Sequence, residues 1–106
     1  MINLVNRLNP SEDALQYVEQ CVKNWVKTSD KKHLKKAMVR VNIYKSLELG
    51  AHTFEDMLVN DYADRIVKLL NTKTKQSAKR KRVELIKFYE QVWGIYYPRK
   101  LINMWL

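Results

Sequence analysis

Eleven of the twenty lysines and arginines in this 106-residue chain stand in two short blocks, and no acid falls inside either. The first holds Lys31, Lys32, Lys35, Lys36 and Arg40; the second holds Lys73, Lys75, Lys79, Arg80, Lys81 and Arg82. Cations gathered in this way attract polyanions, and the formal net charge of +9 extends that pull over the whole molecule. Other chemistry is poorly represented. His33 and His52 share no ligand spacing with each other or with Cys21, so a zinc site is not expected. Asp56, Asp61 and Asp64 read as a capping, solvated acidic face rather than a metal site, and Glu84 and Glu90 flank Lys87 as surface partners. There is no glycine-rich phosphate loop and no nucleophile elbow. The expectation is a chain without catalytic residues, metal or cofactor.

The elements that must place these cations are helical. Two glycines and two prolines are too few for an all-β fold, which needs a turn every 8–12 residues or so. "NPSEDALQYVEQCVKNWVKT" opens with Asn9 as cap and Pro10 at the first helical position, and its apolar residues from Ala14 to Val26 recur at three- and four-residue steps. A first helix over about 10–28 follows. Ser29 or Asp30 caps a second, over 30–49, closed by Gly50. Its Leu34, Ala37, Met38, Val41 and Tyr44 share one side while Val39, Ile43 and Leu47 share the opposite one, so it should be packed on both sides at the centre of a bundle. A third helix, over 54–71, starts either at a Thr53 cap with Asp56 three residues on, or after a short turn at Asn60. The fourth covers 77–93, ends at Gly94, and is followed by a turn at Pro98 and a short helical segment over 99–105. The reading is one all-α domain, a bundle of four helices plus that short C-terminal segment.

Within this frame the second block is electrostatically misplaced. A helix N-terminus carries partial positive charge and prefers Asp or Glu, yet six cations crowd the start of the fourth helix. A phosphate backbone reverses the sign of that effect, because it is attracted by both the side chains and the free N–H groups of the first turn. The bland alternative is a solvated basic turn or a localisation-type run. Arg82 falls inside the apolar stripe of its helix, and either snorkels from the first turn or reaches to a ligand. Cys21 lies on the apolar face of the first helix between Tyr17 and Trp25, where an inert core thiol is expected.

The order "FEDMLVNDYADRIVKLL", "TKTKQSAKRKRVELIKFYEQVWG" and "IYYP" resembles the core-binding domain of tyrosine recombinases and phage integrases, a SAM-like helical module, over about residues 36–100. Its motifs are patterns of apolar and basic residues rather than invariant letters. The resemblance implies a phage or mobile-element source and helices laid along the DNA major groove. The DNA contacts it implies are Lys36, Arg40, Lys73, Lys75, Gln76, Ser77, Lys79, Arg80 and Lys81. A recombinase also needs a downstream catalytic domain, which this sequence does not include, so the expectation is either a fragment or small relative of such a protein, or a likeness of architecture alone.

A second expectation is a protein-interaction module. Tyr96, Tyr97, Leu101, Ile102 and Trp105 either fold back onto the bundle, the commoner fate of such a tail, or form an apolar C-terminal surface for a host or acidic protein partner. RNA ranks lower, because most aromatics fall on predicted buried stripes rather than on a stacking platform. No apolar run approaches the ~18 residues of a membrane span and the N-terminus lacks a signal-peptide plan, so a cytoplasmic chain is expected, with no membrane partner and no small-molecule substrate.

Overall fold

The computed structural model describes the backbone of residues 10–48 and 53–105, and the side chains of 10–48 and 53–94. Among these residues the chain forms four helices and no strand: α1 (Pro10–Thr28), α2 (Lys32–Ser46), α3 (Phe54–Leu70) and α4 (Lys75–Trp105). The expected caps at Asn9 and Gly50, His52, and the side chains of Tyr96, Tyr97, Leu101, Ile102 and Trp105 lie outside the described set. The helices make an all-α bundle, as the periodicity requires. No helix among the described residues is long and apolar enough to cross a membrane.

Local hydrogen bonds account for several helix boundaries among the described residues. Ser29 closes α1 in the left-handed region at φ 59°, its N–H donating to the Trp25 carbonyl at 2.7 Å. That conformation is usually left to glycine. Asp30 starts α2, its Oδ1 accepting from the Lys32 N–H at 2.9 Å. Thr53 caps α3 by accepting from the Asp56 N–H at 3.1 Å, which decides between the two starts the sequence allowed. Thr74 caps α4, accepting from the Ser77 N–H at 3.2 Å, so this helix begins two residues before the expected Ser77.

Two expected helix ends need correction. The second helix ends at Ser46 rather than Leu49, and Glu48 lies in the left-handed region at φ 49°. The fourth runs unbroken through Gly94 and Pro98, and the turn and separate C-terminal segment do not form. A glycine costs a helix about 1 kcal/mol and a proline removes one hydrogen bond, but neither residue type dictates a stop by itself.

The core is assembled from one stripe of every helix. Leu15, Val18 and Val22 of α1, Leu34 and Val41 of α2, Val59, Tyr62 and Ile66 of α3, and Leu85 of α4 are fully buried. Short links of three residues between α1 and α2, and four between α3 and α4, make these pairs antiparallel neighbours. Tyr62 and Phe88 meet edge-to-face with centroids 4.8 Å apart, joining α3 to α4. The double-sided packing expected of α2 is not observed. Val39, Ile43 and Leu47 are 60%, 54% and 52% exposed, because α1 and α3 both meet this helix on its other side.

Candidate nucleic-acid interface

Antiparallel order fixes which termini share an end. The α1 C-terminus, the α2 N-terminus, the α3 C-terminus and the α4 N-terminus all lie together, and with them the openings of both basic blocks. The opposite end carries Asp13, Glu55 and Asp56 in first turns.

At the basic end the helices enclose a cleft of about 180 Å³ lined by Trp25, Ser29, Lys31, Leu69, Ala78, Lys79 and Arg82. Lys31 comes from the first block, Lys79 and Arg82 from the second. Arg82 crosses to α1, its Cζ 5.2 Å from the Trp25 ring centroid and its Nη2 donating to the Ser29 Oγ at 3.0 Å. The aliphatic stem thereby sits at the edge of the core while the charge stays at the cleft, the snorkelling alternative of the two that the sequence left open.

The individual candidates separate by partner. Lys73, Lys75, Gln76, Ser77, Lys79 and Arg80 are exposed, and among the described residues no carboxylate lies within 4 Å of Lys73, Lys75, Lys79 or Arg80. Lys36 of α2 is also exposed. Lys81 pairs with Glu84 at 3.5 Å on its own helix. Arg40 stands apart from the group, because it bonds Asp13 of α1 and stacks over Tyr17 at 5.1 Å, away from the basic end. Lys31, Ser29 and Arg82 were not among the residues singled out for contact. The apolar register of Arg82 was the one signal for it in the sequence; nothing local marked Lys31 as its neighbour.

Other ionisable groups serve the fold. The Tyr44 hydroxyl donates to Asp56 Oδ1 at 2.5 Å and receives from the buried Ser11 hydroxyl at 2.7 Å, linking α1, α2 and α3. Burial, then the Asp56 bond, raise the Tyr44 phenol above its ordinary range. Tyr62 donates to the buried Glu19 at 3.2 Å. Burial pushes the Cys21 thiol up, which keeps it protonated and unreactive at neutral pH. Among the described residues no three His, Cys, Asp or Glu side chains converge as metal ligands. A larger groove of about 490 Å³ between α1 and α4 mixes Asp13, Glu19 and Lys23 with Tyr89 and Trp93, so it gathers no single sign of charge.

A scan against protein-family models, a search of curated proteins and a search of solved structures each return no significant match to this chain.

Proposed function

We propose that this chain is a non-catalytic DNA-binding module that holds duplex DNA through phosphate contacts at the basic end of the bundle, in the manner of an integrase core-binding domain. One observation carries the reading: two basic blocks far apart in sequence open at the same end, and Lys31 meets Lys79 and Arg82 around one cleft. The exposed cations Lys73, Lys75, Lys79 and Arg80 extend this surface over the start of α4, whose capped first turn contains no acid to compensate them. A phosphate backbone relieves the mutual repulsion and meets the N–H groups of that turn that the Thr74 cap does not take. Lys36 and the polar Gln76 and Ser77 complete the contact set. Arg40 is left out, because Asp13 already neutralises it.

The test is a gel-shift or anisotropy titration of a blunt duplex at two salt concentrations. Affinity should fall steeply with salt, by about 0.9 counterion per neutralised phosphate. Lys79→Glu/Arg80→Glu should bind at least tenfold more weakly, while Arg40→Ala should bind like the wild type. Absence of duplex binding at low salt would remove the reading, and retention of a protein partner after nuclease treatment would favour a protein-interaction module instead.

A further inference from the structure

Val39, Ile43 and Leu47 stand more than half exposed in one row along α2. Single apolar residues in solvent are ordinary, but three at successive helical turns form a continuous ridge. Counting back from Val39 by three residues and then by four gives Lys36 and Lys32, both exposed, so the same row begins with two cations. From Lys32 to Ser46 the helix contains no acid. Lys32 lies 3.7 Å from Asp30 in an exposed pair, which holds it only weakly, and among the described residues no carboxylate lies within 4 Å of Lys36.

Charge and area together select what covers this row. A second copy would bring the same cations and a further net charge of +9, and five side chains fall far short of the roughly 20–30 residues a side that a stable dimer buries. A phosphate backbone would satisfy Lys32 and Lys36 but leave three aliphatic side chains without an apolar neighbour. A helix whose apolar residues recur at three- and four-residue steps, and whose same face continues into carboxylates, matches both halves of the row. We infer that this face of α2 docks an acidic amphipathic helix of a partner protein, its apolar residues against Val39, Ile43 and Leu47 and its carboxylates against Lys36 and Lys32. The small area makes it a weak, transient contact. The inference does not depend on the DNA-binding reading. Lys36 is common to the two surfaces, whereas the three aliphatic residues belong to this one alone.

The experiment titrates the full chain, by fluorescence anisotropy, into labelled alanine-based helical peptides of about 18 residues, long enough to hold a helix unaided. The first carries leucines at three- and four-residue steps preceded by two glutamates on the same face. In one control the leucines are glutamines, and in the other the glutamates are lysines. The first peptide should bind at least about tenfold more tightly than either control. Val39→Ser/Ile43→Ser, which leaves every cation in place, should lose that peptide by at least about tenfold while its blunt-duplex affinity and circular dichroism match the wild type. Equal binding of the leucine and glutamine peptides would mean that the chain attracts carboxylates without using the row, and would overturn the inference. So would a folded Val39→Ser/Ile43→Ser protein that keeps the first peptide, or an unmodified chain that binds none of the three. Self-association in analytical ultracentrifugation, or binding to phosphatidylserine vesicles, that this variant abolishes would assign the row to a second copy or to a lipid surface, and would overturn it too. Should the variant fail to fold, Lys36→Glu, whose carboxylate suits the first turns of a helix, should remove the preference for the glutamate peptide over the lysine one. A Lys36→Glu protein that keeps that preference would likewise sink the inference.

Discussion

The guanidinium of Arg82 lies over the indole of Trp25, and its Nη2 donates to the hydroxyl of Ser29, a residue 53 positions earlier in the chain. This contact ties α4, about two turns from its start, to the last turn of α1 where the two helices otherwise touch little. Arg82→Met keeps the aliphatic stem but removes the cation–π contact and the hydrogen bond, and should lower stability by about 1–2 kcal/mol. Urea denaturation followed by circular dichroism reads the change. Stability equal to the wild type would mean that packing of the stem alone docks α4 here.

Tyr44 links three helices through one hydroxyl. Tyr44→Phe leaves the buried Ser11 hydroxyl without its partner and removes the Tyr44 donor from Asp56 Oδ1, at a cost of about 1–3 kcal/mol. Ser11→Ala in the same protein should recover part of that loss, since the orphaned group is then gone. A double-mutant cycle measures the coupling, and strict additivity would argue against a connected relay.

The outward stripe of α2 provides a contrast within one helix. Ile43→Lys should change stability by less than about 0.5 kcal/mol, as for an exposed position, whereas Leu34→Ala should cost about 2–5 kcal/mol. Thermal unfolding of both variants is sufficient. A severe loss at Ile43 would restore the double-sided packing that the hydrophobic pattern first suggested.

Asp30 sets a pH dependence. The Lys32 backbone N–H, the largest influence, holds its carboxyl below the usual range; partial desolvation opposes this, and the charges of Lys32 and His33 reinforce it. A carboxylate whose pKa is lower in the folded chain contributes stability that is present above the unfolded value of about 3.9 and is lost as pH falls through the lower folded value. Asp30→Asn keeps an oxygen for the cap but cannot titrate. Its stability should therefore fall less than that of the wild type on acidification below about pH 4. Parallel stability curves for the two proteins across that window would show that the Asp30 charge has no role at the α2 start.

Much of the architecture was determined locally. Pro10 at the head of α1 and the apolar spacing of Leu15, Val18 and Val22 or of Tyr62, Ile66 and Leu69 act over one to three helical turns, so the sequence alone placed these helices and their buried faces, while leaving the α3 start open between Thr53 and Asn60. Periodicity says which residues share a face but not whether a neighbour covers it. For that reason the second stripe of α2 stayed in solvent although its spacing matched a buried one. Residue type likewise left Gly94 and Pro98 ambiguous, and α4 continued through both. The meeting of Lys31 with Lys79 and Arg82, and the diversion of Arg40 to Asp13, were decided only by tertiary structure. Side chains that distant in sequence interact through Coulomb and stacking forces effective over a few ångströms, and only the antiparallel packing of four helices brings them within that range.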